Sequence, residues 1–302
     1  MTKAPSKLSL YIAIITATIL WGFSFIWTND LIAMGVPIFI FIFIRMLLSG
    51  IIMFAFATIT RTLQKVAHKD IKWMILLAFF EPFVYFIGES YGLKITGSAT
   101  LSAVIVATIP IFTMITGRFL FKEALSRVNI AGILIAVLGI MIFVWNGTIS
   151  SDNYYGILFL LLAVAGSVGY TSICKRLTST YNAITITTWQ FVFGALFFLV
   201  PFLVWGLPDW RPEFLSLDVL KPLIALAVFC SSLAFVLYTK AVAGLGMTKA
   251  AIFATMIPAV SAVAAYFLGQ ESFTILQIFG LAIAISGVIL SQLRKDLTQK
   301  MK

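Results

Sequence analysis

Histidine, cysteine and acidic residues are scarce in this chain. Among 302 residues there are one His, two Cys and 11 Asp plus Glu. Cys174 and Cys230 provide neither a disulfide framework nor metal-ligand spacing. His68 lies in a polar stretch and reads as a solvated loop residue. Gly88-Glu89-Ser90-Tyr91-Gly92 matches the hydrolase pattern Gly-x-Ser-x-Gly. That chemistry needs a strand-to-helix elbow and a base, whereas this segment ends an apolar run and His68 falls on its far side. No Gly-rich loop ending in Lys-Ser/Thr occurs, so this chain alone has no ATP site of that kind. No catalytic residue, metal site or cofactor is expected. An intramembrane enzyme would lack a nucleophile–base pair.

Charge of either sign is also sparse: 11% of residues are charged and 61% are hydrophobic. A soluble domain carries about 25% charged residues. This chain cannot cover a globular surface with polar groups, so the lipid bilayer must cover it. The net charge of +10 raises nucleic acid as a partner. The basic residues, however, occur singly or in pairs between apolar stretches, as membrane orientation requires. No nucleic acid is expected.

Ten apolar segments of about 20 residues follow, each long enough to span a bilayer. They cover 8–28, 37–59, 71–92, 97–121, 128–146, 154–175, 182–205, 219–240, 247–269 and 273–292. The first imitates a signal peptide but is long enough to span, and reads as a retained helix. The alternating pattern of a barrel is absent. The expectation is an all-α integral membrane protein. With the N-terminus inside, 17 of the 21 Lys and Arg sort to the cytoplasmic side. Lys94, Arg211 and Lys221 fall outside, and Arg45 lies within a span. Both termini are therefore placed in the cytoplasm, and the location in the plasma (inner) membrane, multi-pass. Trp73, Trp145, Trp205 and Trp210 fall near interfaces and read as anchors. Asn146-Gly147-Thr148 matches a glycosylation sequon at a helix end and reads as fortuitous.

The chain repeats itself. A shift of 148 residues gives 12 identities in the 40 positions from 100 to 139, without a gap. They include Pro110/Pro258, Glu123/Glu271, Gly132/Gly280 and Gly139/Gly287. With a slightly smaller shift Gly22 meets Gly169 and Arg45 meets Gln190. The repeats are assigned to 8–146 and 154–292. Five helices per half is an odd number, so the second half enters the membrane inverted. Inverted repeats characterise secondary transporters, although channels contain them too.

Trp21-Gly22 in the first helix, and the twice-occurring run of Pro, Glu thirteen residues on and two Gly seven apart, resemble the drug/metabolite transporter superfamily, EamA-type. The resemblance covers nearly the whole chain. It implies ten transmembrane helices as two inverted five-helix repeats around a central cavity. It also implies transport of a metabolite such as an amino acid, a sugar or a nucleotide-linked compound, without naming one. The expected function is a secondary transporter or exporter of a small polar or amphipathic metabolite, amino-acid-like or related, by alternating access. A passive channel or an assembly subunit is the alternative, and a homodimer is left open.

Arg45 lies about 12 Å from the outer end of the second helix. Centring an unpaired Arg in a bilayer costs at least about 2.5–3.5 kcal/mol. Glu81, Tyr85 and Glu89, at i, i+4 and i+8 of the third helix, share a face and are its expected partners. The pairing serves either helix packing or a cavity that binds a polar substrate or carries a proton. Glu81 is the favoured proton carrier, and Pro82 beside it frees backbone carbonyls near midspan. Trp21, Gln190 and Tyr238 are further cavity candidates, with core packing the competing reading. Pro110 and Pro258 read as kinks or as symmetric gating hinges. Glu123 and Glu271 are expected to cap the helices starting near 128 and 275. The two Gly-x-x-x-Ala-x-x-Gly stretches, 132–139 and 280–287, offer small faces for helix contact within the chain or across a dimer.

Overall fold

A computed structural model describes residues 6–121, 126–145, 153–253 and 256–291. Among these residues there are ten helical spans and no strand. They are α1 (Lys7–Ala33), α2 (Ile38–Ile59), α3 (His68–Thr96), α4 (Ala99–Leu120) and α5 (Arg127–Trp145), then α6 (Asn153–Leu177), α7 (Ala183–Asp209), α8 (Leu217–Leu245), α9 (Met247–Phe253 and Ile257–Phe267) and α10 (Ile275–Ser291). Seven are long and apolar enough to cross a membrane, and the described apolar stretches of α5, α9 and α10 are shorter. Glu123, the sequon at Asn146 and the basic run from Arg294 lie outside the described residues.

The links between spans follow from local chemistry. Ser98 and Asn182 cap α4 and α7, each side chain accepting a hydrogen bond from the backbone N–H three residues on. Two links turn on a glycine at positive φ, Gly97 (65°) between α3 and α4 and Gly246 (90°) between α8 and α9. The left-handed region is costly for any residue with a Cβ, and these two links occupy equivalent places in the repeat.

The inversion is visible in how helices face one another. Gly139 of α5 meets Ala284 of α10, Ala136 meets Gly287, and Phe143 meets Gly280. Residue numbers rise along one helix as they fall along the other, so the fifth helices of the two halves run antiparallel. A methyl group at Gly139 or Gly287 would overlap the backbone opposite. The two small-residue stretches thus pack against each other within one chain. In the same sense, α3 packs antiparallel on α6, with Gly88 against Ala163 and Gly92 against Leu160. Its counterpart α8 packs on α1, with Gly244 against Leu10. Each half's third helix therefore rests on the other half's first.

Two kinds of interruption recur in both halves. A π-helical turn spans Phe79–Val84 in α3 and Leu226–Leu233 in α8. In α4, Ala107 and Thr108 form a turn before Ile109–Phe121, and α9 resumes at Ile257–Phe267. Proline is the second residue of each resumed helix, Pro110 and Pro258, where its missing N–H costs least. The central prolines expected from the sequence thus start new helical segments. Away from the core, exposed Ile12, Phe54, Leu134 and Phe267 form part of the apolar exterior that lipid covers.

One capping expectation is corrected. Glu271 does not serve the helix beginning near 275. Its Oε1 accepts from the Ser98 hydroxyl at 3.1 Å and the Thr100 N–H at 3.2 Å, at the start of α4. Thr274 caps α10 instead, accepting from the Gln277 N–H at 3.3 Å. The start of α4 lies next to the α9–α10 link only because the two halves are inverted. Beside it, the Gln270 amide donates to Asp30 at the end of α1, at 2.7 Å.

Candidate functional site

Where the broken third helices pass each other, a cavity opens at the centre of the molecule. Trp21, Arg45, Glu81, Tyr85, Glu89 and Tyr238, all marked from the sequence, line it together. Gln190, Pro110 and Pro258 do not, although Ile109 and Ile257, the neighbours of the two prolines, do. The enclosed space is about 30 Å³, room for roughly two water molecules. That space is too small for a metabolite.

The backbone around Glu81 explains how a carboxyl comes to face inward. Glu81 is extended (φ −147°, ψ 113°) within the π turn, and the Glu81–Pro82 peptide is cis. A helical carbonyl would be bonded along its own helix. The Glu81 carbonyl accepts instead from the Gln190 side-chain amide of α7 at 3.0 Å. Gly194, one turn along α7, lets Pro82 approach closely, with 2.5 Å between the proline Cγ and a hypothetical glycine Cβ. Gln190 is therefore a buried strut behind the cavity, a correction to its reading as a lining residue.

Arg45, the repeat counterpart of Gln190, reaches across the midline in the same way. Its Nε donates to the Ser231 hydroxyl, in the π turn of α8, at 2.7 Å. Ser49, one turn along α2, donates to the Ala227 carbonyl at 3.0 Å. In each half a residue of the second helix thus ties down the opened third helix of the other. The expected Arg45–Glu ion pair is absent. Among the described residues the one ion pair within 4.0 Å is Lys221–Asp218. The Arg45 guanidinium lies 4.2 Å from the centroid of the Phe86 ring, on its face, where the ring quadrupole attracts a cation. Hydroxyl and ring together replace the carboxylate predicted to pair with it.

The carboxyls are left open to the cavity. Glu81 and Glu89 are 5% and 2% exposed, and Oε2 of each has no hydrogen-bond partner. Glu89 Oε1 accepts from the Tyr85 hydroxyl at 3.2 Å. Buried polar atoms without a partner are rare in folded proteins and point to a ligand or water.

The opposite wall is aromatic. The Trp21 ring centroid lies 4.9 Å from Tyr238 and 5.2 Å from Phe235. Tyr170 lies 5.8 Å from Phe235 and 6.4 Å from Tyr238. The Trp21 indole N–H donates to the Cys230 carbonyl at 3.1 Å, another backbone group within the π turn of α8. Sequence reasoning missed Tyr170, Phe235, Phe86 and Ser167. Hydroxyls in mid-span, at Ser167, Thr171 and Thr239, were the signal available for this face.

An all-helical, inverted-repeat membrane bundle with a central polar cavity defines a class, the multi-pass membrane transport proteins. The model of the EamA-like transporter family matches residues 8–145 and again 154–293. The chain belongs to that family, within the drug/metabolite transporter superfamily. It is 24% identical over 294 residues to the uncharacterized transporter YetK of Bacillus subtilis, covering 96% of this chain and 88% of that one. An uncharacterized transporter of Archaeoglobus fulgidus is 25% identical, with 95% and 97% covered. A solved crystal structure superposes with a TM-score of 0.73 at 15% identity, over 95% of this chain and 97% of that one. At that identity the likeness concerns the fold.

Proposed function

We propose that the protein is a secondary transporter or exporter of a small polar or amphipathic metabolite, amino-acid-like or related, working by alternating access. The observation that carries this reading is the central cavity itself, where inverted halves meet around two buried carboxyls that each keep one oxygen without a hydrogen-bond partner. A structural ion pair would have closed on itself. Those two oxygens stay without a partner in a low-dielectric interior, as a site that waits for a ligand would leave them. The helix breaks before Pro110 and Pro258 adjoin the cavity from both halves and are the hinges about which it opens. Glu81 is the group that carries a coupling proton. The reading is transport without catalysis. The charge bias of the loops supports a location in the plasma (inner) membrane with both termini in the cytoplasm.

The test begins with a thermal-shift screen of the purified protein against amino acids, amines and related metabolites, followed by flux of each hit into proteoliposomes. Saturable uptake, accelerated by unlabelled compound inside, is the expected result. Flux that stays linear with concentration and shows no such acceleration would make the protein a channel. The orientation is checked separately. Reporters fused after Lys302 and near Asp152 should read opposite sides of the membrane, and agreement between them refutes the inverted topology.

A further inference from the structure

On the outside of the bundle an apolar groove is rimmed by cations that have no ion-pair partner, and from it we infer that the cleft between α3 and α7 binds one anionic phospholipid of the cytoplasmic leaflet. The leaflet rests on the orientation proposed above, which puts the start of both helices at the cytoplasmic surface. Ile71, Ile75 and Phe79 follow at four-residue intervals on α3, and Trp189, Phe193 and Phe197 do so on α7, one face on each helix. Near the surface, Ile71, Met74, Trp189 and Phe193 wall a groove of about 390 Å³, with Leu63 and Lys65 of the preceding link at its edge. Deeper, Ile75, Phe79 and Phe197 wall a second of about 600 Å³, with Lys72 and Trp73 beside it. The two helices run in the same direction here. From Trp189 to Phe197 is about 12 Å, most of the hydrocarbon depth of one leaflet.

The rim is held in place. The Gln64 N–H donates to the Thr185 hydroxyl at 2.9 Å, and the Asn182 side-chain amide donates to the Thr62 carbonyl at 2.8 Å. The Ala67 N–H donates to the Tyr181 hydroxyl at 3.1 Å. These bonds fix the backbone of Lys65 beside the groove. The Lys72 ammonium and the Arg176 guanidinium lie 5.7 and 4.1 Å from the Trp73 ring centroid. Among the described residues, none of Lys65, Lys72 and Arg176 has a carboxylate within 4.0 Å. The nearby Asp70 accepts from the Tyr181 hydroxyl at 2.8 Å. The other half lacks this rim. Residues 61–72 hold four basic residues and one acidic, whereas 209–220, their counterparts at the repeat shift, hold one basic and three acidic. Lys65 and Lys72 correspond to Glu213 and Leu220. Orientation asks only for positive charge on one side. Cations fixed around a recessed apolar groove suit a ligand with an anionic head and a hydrocarbon chain, and basic pockets between helices on the cytoplasmic side bind such head groups. The chain would lie against Phe79, the first residue of the π turn of α3.

The probes are dioleoylphosphatidylglycerol and dioleoylphosphatidylcholine, which share their chains and differ in head-group charge. Full-length protein, purified in dodecylmaltoside and stripped of lipid, is given equal amounts of both, and retained lipid is read by native mass spectrometry. One phosphatidylglycerol per chain should be kept, with a preference of about twentyfold over phosphatidylcholine, roughly fivefold from each lysine. Lys65→Gln with Lys72→Gln, both exposed, should remove that preference. Arg211→Gln with Lys221→Gln, the same loss of charge at the opposite end, should leave it intact. Ile75→Trp, at an exposed groove position, fills the cleft and should lower retention of both lipids. Equal retention of the two lipids by wild-type protein overturns the proposal. So does a preference that survives the Lys65 and Lys72 changes, or one that falls as far in the Arg211 and Lys221 variant. Retention unaffected by Ile75→Trp overturns the groove as the site, and displacement of the lipid by excess glycerol 3-phosphate overturns a lipid as the occupant. Binding in detergent requires neither flux nor orientation, so these outcomes are independent of the transport assay. Reporters that place Lys302 outside overturn the leaflet alone.

Discussion

The two halves share a scaffold and differ in chemistry. Both place a π turn in the third helix, a break before proline in the fourth, and a second-helix residue that reaches across to the opposite π turn. At the repeat shift of 148, however, Glu81, Tyr85 and Glu89 correspond to Phe229, Leu233 and Leu237. Arg45 corresponds to Gln190, so all the charge of the cavity comes from the first half. The second half contributes Tyr170, Phe235 and Tyr238, which make up most of the aromatic wall. Features that serve backbone geometry are duplicated, and the charged residues of the cavity are not. A ligand with one polar end and one apolar end calls for that division, since a symmetric pair of carboxylate sites would double the buried charge.

The largest effect that would break this comparison lies in the shared scaffold. Gly139→Leu places a side chain against the α10 backbone around Ala284, and Gly287→Leu does the same to α5 around Ala136. Overpacking costs about 1–3 kcal/mol where neighbours can shift. Here the obstacle is main chain, and about 3 kcal/mol or more is expected from each variant. Thermal unfolding in detergent should show matching losses. A large drop in one with none in the other would mean that the halves do not bear this contact equally.

The divergent residues should respond unequally. Arg45→Ala removes the hydrogen bond to Ser231 and the contact with Phe86, a loss of about 1.5–3 kcal/mol for a hydrogen bond to a charged group, and leaves the cavity with two carboxyls and no cation. Transport by well-expressed protein should fall about a hundredfold. Arg45→Lys restores charge but not the planar group that stacks on Phe86 while bonding Ser231, so rescue is partial. Gln190→Ala, at the equivalent place, removes one hydrogen bond worth about 1 kcal/mol. It also removes a buried side-chain oxygen that has no partner, and flux should change by only a fewfold. Equal losses at the two positions would show that Arg45 acts as a strut and no more.

Much of this architecture could be read in the residue order. The ten spans, the inverted repeat and the small-residue stretches follow from runs of apolar residues and from spacings kept over 148 positions, whereas the packing of those stretches on each other within one chain came from the structure. The grouping of Glu81, Tyr85 and Glu89 on one face was legible because helix geometry fixes it within two turns, and the π turn at Glu81 did not undo it. The partners of Arg45 were misjudged. The nearest carboxylates in sequence pattern were assigned to it, whereas its hydrogen bond goes to Ser231, 186 residues away. Glu271 was likewise assigned to its neighbouring helix and in fact bonds Ser98 and Thr100 of the other half.

By itself, the order of residues determined that this protein lives in lipid, how many times its chain crosses, and that one half mirrors the other. Those properties depend on hydrophobicity, length and local helix geometry, which act within about 20 residues and are the same wherever the segment sits. Only the tertiary structure decided which charges meet, which are answered by a hydroxyl or a ring, and which carboxyl stays open. Those outcomes depend on distances between helices far apart in sequence. In a low-dielectric interior, small differences in such distances separate a satisfied charge from one that waits for a ligand.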